Sequence, residues 1–306
     1  MMTAQRRALK QRRNWILIAL SVVVIFFVRW NYQPERVESE YFGMTDIAVI
    51  AHQGGNLLRP GNTLLAFDYA QSLGVDVLEM DIHASADGEL VVIHDETLER
   101  TTNGQGLVKL QALEQLKKLD AAYHWPFVDK YPDGQIPESY AGQGVTIPTL
   151  REVFERYPKQ RMVIEIKQQE PSITEGFCSL LTQYNKLDHV VVASFSADVI
   201  IEFRDACPRV ATSAASSEVT WFVIYQTLGL PHLFAARAGV LQLPKAQMGF
   251  QLLDKSLIRD AQEQGLWVEY WTFNSVEDMA AGIAAGANGI MTDRPDVLLD
   301  ELGRVY

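Results

Sequence analysis

Eight short runs of β-branched and apolar residues recur along this chain, at 47–51, 77–81, 162–166, 190–194, 209–213, 240–243, 267–271 and 289–292. Segments of helical period, at 63–73, 172–184, 197–206, 255–264 and 276–285, separate most of them. Strands that alternate with helices imply a parallel sheet, because each helix returns the chain to the edge where the next strand starts. Only eight residues separate one further run, 91–94, from Ile82. A parallel crossover needs about a dozen or more, so this run must turn back as an antiparallel hairpin at Asp87-Gly88. Eight parallel strands remain, and eight close a barrel. The expected fold is an α/β TIM (β/α)8 barrel over residues 46–306, with a small antiparallel hairpin insertion. The stretch 121–145, rich in Tyr, Trp, Pro and Gly, reads as a long loop near the barrel mouth. A second aromatic stretch is 221–234; each of the two reads as loop packing on the rim, with a substrate lid or a lipid-dipping surface as the other readings.

Ahead of the barrel, Trp15 to Val28 is apolar apart from Ser21, with Arg6, Arg7, Lys10, Arg12 and Arg13 before it and Arg29, Trp30 and Tyr32 after it. A bilayer core needs about 20 helical residues, so the run is short. Interfacial aromatics and a snorkelling Arg29 would extend its reach. No small-x-small cleavage site follows, which favours an uncleaved anchor over a signal peptide. The expectation is therefore one N-terminal transmembrane helix: 1–13 a basic cytoplasmic tail, 14–32 a signal anchor and 33–45 a polar linker. Basic residues stay cytoplasmic, so a single-pass membrane protein of this kind should hold its barrel on the periplasmic, extracellular or lumenal side.

Charge narrows the partners. Residues 1–30 carry six cations and no acid; in the rest, 21 Lys and Arg face 38 Asp and Glu, a balance of −17. A domain this acidic lacks the clustered cations that phosphate backbones require, so no nucleic-acid partner is expected. Cys178 and Cys207 have no metal-ligand spacing and read as two small buried hydrophobes; sequence cannot place their Cα atoms, and no disulfide is claimed.

The chemistry-bearing residues sit where such a barrel puts reacting groups, at the carboxyl ends of strands. His52 follows the first run, and Glu79 and Asp81 end the second. Glu165 and Lys167 end the third, and Trp271 the seventh. Glu79 and Asp81 are two residues apart and share one side of their strand, as do Glu165 and Lys167, with the apolar residues on the other side. Three inward carboxylates repel one another unless a proton or a cation joins them. Oxygen-only donors suit Mg²⁺ or Ca²⁺; an internal ion pair of Lys167 with one acid is the other reading. His52 and His94 flank this cluster. His83 reads as structural, and Trp271 reads equally as a substrate-packing or a core aromatic.

These residues fall in a recognisable order: Ala51-His52-Gln53-Gly54-Gly55, Asn62-Thr63, Glu79-Met80-Asp81, Ile93-His94-Asp95, Ile164-Glu165-Ile166-Lys167, Tyr270-Trp271-Thr272-Phe273-Asn274 and Met291-Thr292-Asp293-Arg294-Pro295. The series resembles the signature of the glycerophosphodiester phosphodiesterase family and spans the chain from about residue 47 to its end. The resemblance implies the same barrel, with His52 and His94 as the acid–base pair and one divalent cation on Glu79, Asp81 and Glu165. It implies substrate contacts from Lys167, Gln53 and Trp271. The implied reaction is hydrolysis of a glycerophosphodiester to glycerol 3-phosphate and an alcohol. Lysophospholipase D-type cleavage of lysophospholipids is the alternative, and a catalytically silent, membrane-tethered binding protein a further one. Two positions depart from the family pattern: Gln53 replaces an Arg and Gly61 a Glu. Neutral Gln cannot replace an Arg phosphate clamp, so the change would weaken the ground or transition state or signal a different phosphoester; because the two changes are opposite in charge, the favoured reading is a structural pair lost together.

Overall fold

Hydrogen bonding between the apolar runs closes the expected barrel. The computed structural model describes residues 36–304 apart from 132, 133, 236 and 248, together with 11–17, 20, 21, 23, 24 and 27 near the N-terminus. Its main elements are β1 (Ala48–Ala51), α1 (Leu64–Ser72), β2 (Val77–Ala84), β3 (Leu90–Val92), α2 (Leu150–Arg156), β4 (Arg161–Ile166), α3 (Thr174–Gln183), β5 (Val190–Ala193), α4 (Ala197–Ala206), β6 (Ala211–Thr212), α5 (Ser216–Thr227), β7 (Val240–Leu243), β8 (Ala246–Gln247), β9 (Phe250–Gln251), α6 (Lys255–Glu263), β10 (Trp267–Tyr270), α7 (Val276–Ala285), β11 (Gly289–Thr292) and α8 (Pro295–Glu301). The barrel strands follow in the order β6-β5-β4-β2-β1-β11-β10-β7, and a parallel bridge between Ser213 and Val240 joins the last to the first. Strand β3 pairs antiparallel with the end of β2, Ile82 opposite Val92. The hairpin insertion is there as expected.

Strand alternation builds two apolar layers. Leu78, Met80, Ile82, Ile164 and Ile166 point outward and pack under the helices, while Ile50, Val77, Val163, Val191 and Val240 fill the interior. A third cluster, with Val91, Ile93, Val108 and Ile147, holds the insertion together. Tyr41, from a 3-10 turn at Glu40–Phe42, joins the interior cluster and is fully buried. Its N–H donates to Asp188 O at 3.1 Å, just ahead of β5. The ring therefore plugs the end of the barrel where the strands begin.

The aromatic stretch read as rim loop is largely helix: α5 runs through Trp221 to Thr227. Apolar residues surround this helix, so it lacks the one-sided period by which amphipathic helices are recognised. Cys178 and Cys207 are disulfide-bonded, with Cα atoms 5.5 Å apart. The bond ties α3 to the end of α4, helices that successive β/α units set side by side.

The N-terminus requires a correction. Among the described residues no helix is long and apolar enough to cross a membrane. The reason is length: Trp15 to Val28 is 14 residues, about 21 Å of helix against a hydrocarbon core of about 30 Å. Much of the stretch 14–32, and residues 1–10 before it, lie outside the described residues. The transmembrane helix, the signal anchor, membrane attachment through it and the single-pass topology are withdrawn together.

Candidate active site

The strands end at one mouth of the barrel, and the polar residues gather there. His52 leaves β1 in a tight turn that places Gln53 at φ 51°, which aims the Gln53 N–H at Glu79 Oε2, 2.7 Å away. Asp81 is held from several sides. Asn62 Nδ2 and Gln53 Nε2 donate to its Oδ2 at 2.8 and 3.1 Å, and Lys167 Nζ lies 3.2 Å from its Oδ1. The Asp81 N–H returns a bond to Asn62 Oδ1 at 3.2 Å. Lys167 Nζ also reaches Glu165 Oε1 at 2.9 Å. Next to Asn62, Thr63 caps α1 by accepting from the Ala66 N–H at 3.2 Å. The Asn-Thr pair thus joins helix start to site.

One oxygen each from Glu79, Asp81 and Glu165 lie within 4.8 Å of one another. Burial pushes Glu79 up to about 8; Asp81 adds to the effect, and His52 and the Gln53 N–H oppose it. Burial also raises Glu165, against the pull of Lys167. At Asp81 burial is outweighed by Lys167, His94 and Asn62, and the carboxyl is held below its usual range. Lys167, itself raised because Asp81 and Glu165 overcome its burial, bridges two of the acids. The internal ion pair is therefore present, with Lys167 on Asp81 and Glu165, and the three acids also stand close enough to share one cation. The donor set fits a hard divalent cation.

Each histidine is pinned through Nδ1. His52 Nδ1 lies 2.7 Å from Asp293 Oδ1, and His94 Nδ1 lies 2.6 Å from Asp95 Oδ1. A carboxylate only accepts, so Nδ1 carries the proton and Nε2 is left for the cavity. His52 Nε2 stands 4.0 Å from Glu79 Oε2. Burial disfavours its charge, but Glu79 and Asp293 prevail and carry His52 up to about 9. The carboxylates are oriented in turn. Asn274 donates to Asp293 Oδ2 at 2.8 Å, and Arg100 clasps Asp95 with Nε and Nη2. Against burial, His94 and Arg100 hold Asp95 well below the usual carboxylate range. His83 is buried and neutral, its charge disfavoured by burial, and its Nε2 lies 3.2 Å from the His94 carbonyl. It supports the backbone of His94, as its structural reading expects.

Both histidines line two cavities. One, about 310 Å³, joins them to Glu79, Glu165 and Lys167 and to an apolar wall of Phe195, Val219, Trp271 and Met291. Phe195 and Trp271 meet edge to face, centroids 5.7 Å apart. The other, about 360 Å³, opens toward Arg100, Lys130, Tyr131 and Asn274. His52, His94, Glu79, Glu165, Lys167 and Trp271 thus surround one cavity. Asp81 and Gln53 stand behind it, buried. Gln53 is bound to Asp81, and a Cβ on Gly61 would lie 2.9 Å from Gln53 Oε1 and 2.6 Å from Asn56 Oδ1. The two departures from the family pattern are therefore neighbours. Sequence reasoning assigned no role to Asn62, Asp95, Asn274 or Asp293. All four stood in the quoted motifs, but their partners are distant or ambiguous along the chain.

Comparison with known proteins agrees with this geometry. Residues 52–297 match the model of the glycerophosphoryl diester phosphodiesterase family. A glycerophosphodiester phosphodiesterase of Caldanaerobacter subterraneus subsp. tengcongensis is 33% identical over 258 residues, 82% of this chain and 96% of that one. Lysophospholipase D GDPD3 of Mus musculus is 25% identical, over 90% of this chain and 86% of that one. The crystal structure of a glycerophosphodiester phosphodiesterase from Agrobacterium tumefaciens superposes with a TM-score of 0.64 at 27% identity, covering 83% of this chain and 99% of that one.

Proposed function

The chain belongs to the glycerophosphoryl diester phosphodiesterase family and is a phosphodiester hydrolase; from that premise we propose that it cleaves glycerophosphodiesters to glycerol 3-phosphate and an alcohol, with His52 and His94 as its acid–base pair. The observation that carries this reading is the matched pinning of the two rings by Asp293 and Asp95, beside one cluster of acids. Each Nε2 is the one ring atom free to exchange a proton with substrate. One histidine takes the proton of the attacking hydroxyl as its oxygen bonds to phosphorus. The other gives a proton to the alkoxide oxygen as the phosphorus–oxygen bond to the alcohol breaks. The attacking group is the glycerol 2-hydroxyl, through a cyclic phosphate, or water. Lys167 offsets charge on a phosphate oxygen, Gln53 and Asn62 hold Asp81 in place, and Trp271 packs against the glycerol or headgroup.

Glu79, Asp81 and Glu165 would hold one Mg²⁺ or Ca²⁺, which when bound would polarise a phosphate oxygen and lower the pKa of an adjacent hydroxyl. The apolar wall of Phe195, Val219 and Met291 favours lysophospholipids as a second substrate class, since an acyl chain could lie along it. Family membership and the two pinned histidines weigh against a silent binding role. The test is release of glycerol 3-phosphate from glycerophosphocholine, or of lysophosphatidic acid from lysophosphatidylcholine, with EDTA, Mg²⁺ or Ca²⁺. Turnover that needs the ion and disappears in His52→Ala supports the reading; no turnover of either substrate with either ion refutes it.

A further inference from the structure

Gln242 and Glu269 face each other in register on β7 and β10, inside the barrel, and the chemistry above uses neither. Gln242 is half-buried on a strand whose other residues are buried, and the cavity it lines is what exposes it. Its Nε2 donates to Glu269 Oε2 at 3.0 Å. The Tyr41 hydroxyl donates to Glu269 Oε1 at 2.9 Å. Glu269 itself is fully buried. Glycine at 289 on β11 leaves it room: a Cβ there would lie 3.2 Å from the Glu269 Cγ and 3.0 Å from Ile50 Cδ1. The interior cluster around the barrel axis, with Val163 and Ala193, is apolar. An acid in such a place costs stability, which a residue serving only to fill space would avoid.

The hydrogen bonds fix the direction of the Gln242 carboxamide. An ionised carboxylate only accepts, so the amide end of Gln242 must face Glu269. The carbonyl Oε1 is then left toward the cavity, and none of the described residues donates to it. A protonated Glu269 can donate instead, which would turn the amide end outward.

We propose that Gln242 is a specificity-determining residue that accepts a hydrogen bond from the terminal hydroxyl of the substrate's glycerol, and that Glu269, held by Tyr41, is the positioning residue that turns its carbonyl toward that hydroxyl. The inference rests on the glycerophosphodiester reading above and concerns the hydroxyl that the reaction does not consume. Burial sets Glu269 at about 7, with Gln242 and Tyr41 opposing, so both orientations are reached in the ordinary pH range. The groups that face it are Tyr41 and Gln242. Burial and Glu269 hold the Tyr41 phenol well above its ordinary value, so it stays a donor; Arg161 and Asp76 act on that phenol more weakly.

The experiment compares kcat/KM for glycerophosphocholine and for its analogue with fluorine in place of the terminal glycerol hydroxyl, which cannot donate. The histidines and metal-site acids act on both diesters alike, so their titration cancels in the ratio. Wild type at pH 8.5 is expected to prefer the hydroxyl by roughly tenfold, mainly through KM. In Gln242→Leu the preference should fall to near one. In Glu269→Gln, where the amide at 269 donates to the Gln242 carbonyl, it should be reduced and flat with pH. In wild type it should decline as pH drops from 8.5 to 5.5. A preference that survives Gln242→Leu overturns the proposal, and a wild-type ratio independent of pH overturns the role of Glu269. Cleavage of both diesters without preference sinks this inference alone. Cleavage of neither, with either ion, sinks the functional reading and this inference with it.

Discussion

Replacing Glu269 by Gln should make the protein more stable at alkaline pH, and by an amount that grows with pH. Glu269 is fully buried, and its folded carboxyl sits at about 7 against an ordinary value of 4.5. A carboxyl raised on folding keeps its proton more tightly in the native state than in the unfolded chain. Its contribution is fully present below the unfolded pKa and is lost as pH rises through the folded one. Linkage over that window gives roughly 2 kcal/mol between pH 5.5 and pH 8, and about 3 kcal/mol between the acid limit and pH 8. Glutamine keeps the shape, accepts from Tyr41 and, after Gln242 turns its carboxamide over, donates to that side chain; it does not titrate. Urea unfolding of wild type and Glu269→Gln at pH 5.5, 7 and 8 isolates the term, because every other titrating group cancels in the difference. The variant should gain about 2 kcal/mol on wild type from the first pH to the last. A difference that stays constant with pH would show that Glu269 is ionised throughout, and the burial argument would fail.

Other perturbations test the remaining parts of the site. Asp293→Asn leaves His52 in place but removes the carboxylate and leaves a single acceptor oxygen for two donors, His52 and Asn274, so the tautomer is no longer fixed and kcat should fall roughly 10²–10⁴-fold with KM little changed; steady-state kinetics decide it. Mg²⁺ or Ca²⁺ should raise the melting temperature by joining Glu79, Asp81 and Glu165, by an amount worth about 2.7 kcal/mol at a hundredfold excess over Kd. Glu79→Gln should weaken that response, and an unaltered thermal shift in the variant would count against the cluster. Mutating Cys178 and Cys207 to Ser opens the loop closed by a bond spanning 29 residues; unfolding should cost roughly 3–4 kcal/mol less, with kcat unaffected, because the bond lies among the outer helices.

Where the pattern is local, sequence was sufficient. Eight apolar runs at βα spacing specify the barrel, and a period of two along β2 and β4 sends Glu79, Asp81 and Glu165 inward and Leu78, Met80 and Ile164 outward. The three acids and two histidines could be named as candidates from the sequence, because strand ends of a closed barrel converge and the motifs that hold them resemble one family's. The reading went astray where the signal was one of degree or lacked a period. The N-terminal run was credited with a bilayer span its length does not supply, and α5 was taken for a loop because apolar residues surround it.

Sequence by itself therefore determined the architecture of this protein and its candidate site residues: the first follows from short-range periodicity, the second from residue type at strand ends and from the family resemblance. Only the tertiary structure decided the partners: Asp293 for His52 from 241 positions away, Asp95 rather than a distant acid for His94, Cys207 for Cys178, and Tyr41 and Gln242 for Glu269. Such pairings depend on angstrom-scale distances between side chains, most of them on different elements. Those distances come into being only when the barrel closes.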